Sequence, residues 1–188
     1  LAEQVLETFD ITSRRWDEEE LRPNYRPLRF LSYLIDYRLT RAWFGEVPES
    51  GPRTFFFHLT NVLLHAANAL LVFAMARSLA RAFLPQDASA PRLAAFTGLC
   101  AGLLFALHPV ETEAVTYVSG RRDVLSTFFF LAASSVYLRA GREAPPGALV
   151  LVLVPVLFTL GLLSKEAAVT LCPALVLLGH MDTVPVGS

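Results

Sequence analysis

The chain has 188 residues, 54% of them hydrophobic and 18% charged, with a mean hydropathy of +0.46 and a formal net charge of −1. Soluble domains are about 45–50% apolar and about 25% charged. The composition therefore excludes a disordered or fibrous chain and argues against a water-soluble domain. With no net positive charge, no global field recruits nucleic acid, and nucleic acid is not an expected partner.

The chain opens on Leu1 with no basic segment and short apolar stretch behind it, so no signal peptide is read and a fragment is expected. Residues 1–54 are the polar part, with eight of the 16 basic and ten of the 17 acidic residues. Within them, 27–44 (PLRFLSYLIDYRLTRAWF) read as an amphipathic helix. Leu28, Leu31, Leu34, Ile35 and Trp43 are expected to bury, while Arg29, Asp36, Thr40 and Arg41 stay wet. Its aromatic content suits a helix lying in the headgroup layer, though an ordinary soluble amphipathic helix shows the same pattern. Apolar runs then cover 55–76, 93–110, 124–138, 148–163 and 167–178. A membrane helix needs about 20 residues. The first two runs meet this directly. The third and fourth reach it if flanking residues such as Arg139 snorkel. The fifth is short and contains Pro173, so it must continue past Gly179 or be re-entrant or truncated. Proline- and glycine-rich joints at 85–91 and 141–147 suit helical hairpins, and no run alternates with a period of two. Residues 148–163 carry no charge and are apolar all round, as befits a helix in a core or in lipid. The expected fold is all-α: a polytopic transmembrane bundle of about five helices over 55–178, an extracytoplasmic polar segment with an interfacial amphipathic helix over 1–54, and a separate tail at 179–188.

Several features inside the runs bear on packing. Gly98 and Gly102 have the small-xxx-small spacing that lets helices approach closely. His58, Asn61, His65 and Asn68 fall on one helical stripe, which must face protein or a watery cavity. Interhelical hydrogen bonding and a substrate-facing role are both open to it. No carboxylate or thiol lies nearby in sequence, so His58 and His65 are not read as metal ligands. Cys100 and Cys172 fit no disulfide framework or metal spacing and read as small buried apolar residues.

Two joints carry the chemistry. The first runs from His108 to Asp123 and the second is Ser164-Lys165-Glu166. They lie two crossings apart, hence on one side, with the N-terminal segment. That side gathers His108, Glu111, Glu113, Arg121, Arg122, Asp123, Lys165 and Glu166. Arginine binds phosphate as a fork and lysine as a point charge, while a carboxylate positions a hydroxyl or takes its proton. Each also has a structural reading: Asp123 as a helix N-cap, Lys165 and Glu166 as mutual neutralisers, Arg121 and Arg122 as boundary markers. Counting all basic residues puts this side in the cytoplasm. Counting only the short joints, three against five, puts it opposite.

At these residues the sequence resembles a known family. Tyr25-Arg26-Pro27-Leu28, then FHLTNVLLH at 57–65, HPVETEAVTYVSGRRDVL at 108–125 and LLSKEAAVT at 162–170 resemble, in that order, the multispanning protein O-mannosyltransferases that carry tetratricopeptide repeats, and their bacterial relatives, of the GT-C superfamily. The resemblance covers about residues 20–178. It implies an integral-membrane glycosyltransferase in the bacterial inner membrane or the endoplasmic reticulum. Such an enzyme moves a sugar, mannose, from a polyprenyl-phosphate carrier to a protein hydroxyl, with the site facing the periplasm or lumen. The implied partners are membrane lipid, the lipid-linked sugar donor and a protein acceptor; no metal or further cofactor is implied. Arg26, His108, Glu113, Arg121, Asp123, Lys165 and Glu166 match motif positions near the site. Arg121, Lys165 and Arg26 would hold phosphate, and Glu113, Asp123 and Glu166 would orient the acceptor or the basic groups. Arg122 departs from the small residue usual there. The family's proposed catalytic acid follows a first membrane helix, which places it upstream of Leu1, so the chain is expected to be inactive alone. The acidic run Asp17-Glu18-Glu19-Glu20 reads as solvated. A non-enzymatic membrane scaffold or lipid-binding module is the alternative. Finally, GHMDTVPVG at 179–187 is similar to the His-x-Asp metal strand of di-zinc deacylases and exopeptidases, a match over about ten residues read as chance or a chimaeric end.

Overall fold

The computed structural model describes residues 26–45, 54–85, 87–140 and 147–183. Among these residues every regular element is helical, and there is no strand. The helices are α1 (Pro27–Phe44), α2 (Phe55–Phe83), α3 (Ala90–Leu107), α4 (Pro109–Thr116), α5 (Arg121–Ala140), α6 (Ala148–Ser164) and α7 (Leu171–Thr183), with 3-10 turns at Val118–Gly120 and Glu166–Thr170. The all-α expectation holds. The count of crossings is coarser than expected: α2, with 29 residues, and α3, with 18, are long and apolar enough to cross a membrane, while the apolar stretches of α6 and α7 are shorter.

The boundaries follow from local chemistry. Pro27, Pro91 and Pro109 sit in first turns, where no backbone N–H is required. Gly45 closes α1 with φ of 72°, a conformation a Cβ disfavours, and its N–H reaches the Arg41 carbonyl at 3.0 Å. Asp87 caps α3: its Oδ1 accepts from the backbone N–H of Ser89 at 2.9 Å and of Ala90 at 3.0 Å. The joint between the second and third runs contains α4, whose start is capped by the His108 ring Nδ1 accepting from the Val110 N–H at 3.3 Å. Asp123 lies inside the first turn of α5 and is not its N-cap. Pro173 falls in the first turn of α7, which explains how a proline fits the fifth run. Pro155 lies inside α6, and the Thr159 hydroxyl donates to its carbonyl at 2.8 Å.

Helix α2 is the spine, packing along α3 on one side and α5 on another, while α6 lies against α5. The α2–α3 seam is made by small residues four apart: Ala90, Ala94, Gly98 and Gly102 are all buried. A Cβ at Gly98 would come within 2.8 Å of the Phe73 carbonyl, and one at Gly102 within 3.1 Å of the Ala69 carbonyl. The small-xxx-small pair is thus a packing seam.

Burial is inverted relative to a water-soluble bundle. The largest fully buried side chains are Arg121, Leu171, Asn61, Asn68, Asp36, Ser134 and Ser164, whereas Leu70, Phe96 and Leu104 are more than 60% exposed. Helix α1 shows the same inversion and corrects the expected faces. Leu31, Ile35, Leu39 and Trp43 form an outward stripe at i, i+4 spacing, while Asp36 and Thr40, expected to stay wet, are buried. An apolar exterior gives leucine no reason to turn inward, and the hydrogen-bond partners of Asp36 are all inside. Cys172 is likewise exposed rather than buried, on an apolar outer face.

Replacing Gly98 by Leu should push α2 and α3 apart and cost about 1–3 kcal/mol by overpacking. Thermal unfolding in detergent checks this; a midpoint equal to the parent's would show that the seam does not hold the two helices.

Candidate functional site

Arg121 begins α5 at 0% exposure, and its guanidinium is the hub of the rim. Nη2 donates to Asp36 Oδ2 of α1 and to the Phe57 carbonyl of α2, each at 2.7 Å. Nε donates to Asn61 Oδ1, and Nη1 to the Ser32 hydroxyl at 3.3 Å. The Tyr33 ring lies 5.3 Å from the guanidinium carbon. Asp36 is equally satisfied, since its Oδ1 accepts from the Thr60 hydroxyl at 2.7 Å. Asn61 completes the knot by donating from Nδ2 to the Val115 and Tyr117 carbonyls at 3.2 and 3.1 Å. The geometry takes Arg121 out of the ligand-facing set. Its donors point into protein, so it gathers α1, α2, the end of α4 and α5 instead of holding a phosphate.

The polar stripe on α2 serves the same end. Asn68 Nδ2 donates to the Val124 carbonyl at 3.0 Å, and His65 Nε2 lies 3.2 Å from the Ala106 carbonyl. Of the two readings of this stripe, interhelical hydrogen bonding describes Asn61, His65 and Asn68.

Around the hub lie the accessible charges. Lys165, the chain's single lysine, has an extended backbone at the end of α6, and its ammonium donates to Asp123 Oδ1. Asp123 Oδ2 accepts from Arg122 Nε at 3.3 Å. Both members of the Lys165–Asp123 pair are about one-third exposed. Lys165 therefore meets the end of α5 two residues from Arg121, and the two cations share one end of the bundle. Glu166 turns the other way. Arg26 Nη2 donates to its Oε1 and Oε2 at 2.8 and 2.9 Å. The Arg26 side chain is 8% exposed, and its Nε and Nη1 are buried with no hydrogen-bond partner among the described residues.

Two clefts meet at Asp123. The larger, of about 380 Å³, is lined by Glu113, Tyr117, Ser119, Arg122, Asp123 and Thr127, among others. The smaller, of about 190 Å³, runs along α5 and is lined by Asp123, Ser126, Thr127, Phe130, Lys165 and Ala168, among others. Gly120 shapes the first, because a Cβ there would run into the Ala114 carbonyl. Of the expected residues, Glu113, Asp123 and Lys165 line the clefts. Arg26 and Glu166 pair beside them. His108 caps α4, and Arg121 is buried. Sequence reasoning missed Asp36, Ser32 and Thr60. The i, i+4 spacing of Ser32, Asp36 and Thr40 was the available signal. Among the described residues no three His, Cys, Asp or Glu side chains converge as metal ligands. The His-x-Asp stretch of the tail lies outside the described side chains.

The chain is 33% identical over 156 residues to protein O-mannosyl-transferase TMTC3 of Mus musculus, covering 81% of the chain and 14% of that protein. It is 36% identical over 165 residues to protein O-mannosyl-transferase Tmtc1 of Drosophila melanogaster, covering 87% and 16%. It is 36% identical over 138 residues to protein O-mannosyl-transferase TMTC4 of Homo sapiens, covering 72% and 17%. The chain thus spans under one-fifth of the length of these curated relatives. No family model and no solved structure matches.

Removing one partner of the hub should be severe. Asp36→Ala leaves a buried guanidinium uncompensated, an expected loss of about 3–5 kcal/mol, whereas Asp36→Leu combined with Arg121→Met should recover most of it. Thermal unfolding of the three variants checks this; Asp36→Ala behaving like a surface change would remove the hub from the account. The Glu166 carboxyl is held below its ordinary range by its own backbone N–H first and by Arg26 next. A lowered value in the fold means stability present above the ordinary glutamate pKa of about 4.3 and lost as pH falls through the lowered value. The stability gap between the parent and Glu166→Gln should therefore hold at neutral pH and close in acid. A gap independent of pH would show that the charge does nothing there. By sequence, along most of its own length, the chain is similar to the TMTC protein O-mannosyl-transferases.

Proposed function

We propose that the chain forms part of an integral-membrane glycosyltransferase that moves mannose from a polyprenyl-phosphate carrier to a protein hydroxyl. The observation carrying this reading is the Lys165–Asp123 pair between two clefts at one end of an apolar bundle, in a chain whose relatives are named O-mannosyl-transferases. In such a transfer the bond between the sugar's anomeric carbon and the phosphate oxygen breaks. Its electron pair leaves on the phosphate, and the acceptor oxygen forms the new bond and gives up its proton. The departing phosphate gains a negative charge, and a cation placed at that oxygen stabilises it as it develops. Lys165, in the lining of the smaller cleft, is the cation assigned to this, with Arg122 beside it in the larger cleft and Glu113 and Asp123 as the neighbouring carboxylates. The residue that takes the acceptor's proton is expected outside the described part of the chain.

The membrane setting belongs to the same proposal. Helices α5, α6 and α7 join α2 and α3 in a multi-pass bundle, with α1 at the interface. The 17 residues of α6 span about 26 Å at 1.5 Å each, near the hydrocarbon thickness of about 30 Å. Arg77, Arg81, Arg92 and Arg139 lie towards the far end, whereas at the rim Arg121 is neutralised internally. Counted over the short joints alone, three basic residues at the rim against five at the far end, the charges support a cytoplasmic far end and a rim in the lumen or periplasm. A non-enzymatic scaffold has one observation in its favour: the rim charges pair with one another, as charges serving only assembly would.

The test is transfer of labelled mannose from a short-chain polyprenyl-phosphate mannose by a full-length protein carrying this segment. Lys165→Met should lower kcat/KM by about 100-fold or more. Unchanged turnover in a folded variant would favour the scaffold.

A further inference from the structure

We infer that the Lys165–Asp123 ion pair is a displaceable partition between two binding clefts. The smaller takes the phosphate and first isoprene units of a prenyl-phosphate donor, and the larger takes the polar acceptor. This rests on the transferase reading above and adds where each substrate lies and what separates them.

Four observations carry it. The two clefts share Asp123 and Thr127, so the pair stands on their common boundary. The smaller cleft follows α5 inward from Asp123 to Phe130, seven residues, or about 10 Å at 1.5 Å each. Its lining passes from the charges of Asp123 and Lys165 to Phe130, Ala167 and Ala168, beside the hydroxyls of Ser126, Thr127 and Thr170, so an anionic head and the first carbons of a chain both find partners. The larger cleft stays at the rim and carries Glu113, Tyr117, Ser119 and Arg122, groups that hydrogen-bond a hydroxyl. Finally, the cation is the one lysine in a chain with 16 basic residues, and it is about 30% exposed, within reach of a ligand. An ammonium on a flexible stem can change partners without the planar match a guanidinium demands.

The exchange conserves charge. When a phosphate enters the smaller cleft, Lys165 leaves Asp123 for it. The Asp123 carboxylate stays neutralised by Arg122, already 3.3 Å away. The freed Oδ1 then faces both clefts, where it can accept a hydrogen bond from an acceptor hydroxyl. Arg122, the residue that departs from the family pattern, becomes the counter-ion that makes this exchange affordable in a poorly hydrated rim.

The experiment uses the chain in lipid nanodiscs with ¹⁵N-labelled lysine, which gives one side-chain resonance. Farnesyl phosphate, farnesol and inorganic phosphate serve as probes. Farnesyl phosphate should shift the Lys165 signal; farnesol should not. Inorganic phosphate should bind at least roughly ten-fold more weakly, lacking the apolar contact. Phe130→Ala should weaken farnesyl phosphate and leave inorganic phosphate unchanged. Asp123→Asn removes the competitor for the ammonium and should tighten farnesyl phosphate by roughly five-fold, the opposite of what a merely structural pair would show. An unmoved Lys165 signal, equal affinity for the two phosphates, or weaker binding in a folded Asp123→Asn overturns the partition. If Asp123→Asn does not fold, the parent's lysine signal decides alone. Binding through Lys165 without mannose transfer by the full-length protein would sink the transferase reading and leave the partition standing. Transfer with an indifferent lysine would do the reverse.

Discussion

A guanidinium with nowhere to go but inward organises this molecule. Most of the exposed large hydrophobic residues around the bundle are leucine, valine and phenylalanine, and Arg121 finds its partners among other helices. Asp36, Asn61, Ser32 and the Phe57 carbonyl supply them. Each of these partners belongs to a different stretch of chain from Arg121. Satisfying one charge therefore fixes where α1 crosses, how deep α5 begins and where α4 ends. Buried ion pairs seldom add net stability over a well-packed apolar core, but breaking one is costly. The value of this one lies in register: with the helices so arranged, each nitrogen of the Arg121 guanidinium has a partner.

That register sets the outer layer of charges. Because α5 starts at Arg121, Asp123 falls two residues on, at the rim, within reach of the lysine ending α6. The adjacent Glu166 holds Arg26 just ahead of α1. Two consecutive residues thus clamp two different helices, and the near absence of a loop between α6 and the following 3-10 turn is what puts them there.

The long apolar stretches were readable, because a helix with no polar face has few environments open to it, and α2, α3, α5, α6 and α7 all fall where such runs lie. The glycine pair at 98 and 102 and the polar stripe through Asn61 and Asn68 were readable for the same reason: each stands out against a uniform background. The orientation of α1 was not. Its leucines and its aspartate mark two faces, but which face turns inward depends on the surrounding solvent and on a partner 85 residues away. Likewise Arg121, Arg122 and Asp123 are indistinguishable by composition. Only the rotation of about 100° per residue sends one into the knot and leaves its neighbours at the clefts. Helix α4, eight residues with no buried side chain, had no periodic signal to give.

Pro155 has a mechanical consequence. It withholds one rung of the hydrogen-bond ladder halfway along α6, and the Thr159 hydroxyl competes for the same carbonyl row, two features that let a helix flex. The helix that ends at Lys165 thus has a built-in point of lower stiffness, whereas the α2–α3 seam is held close by glycines.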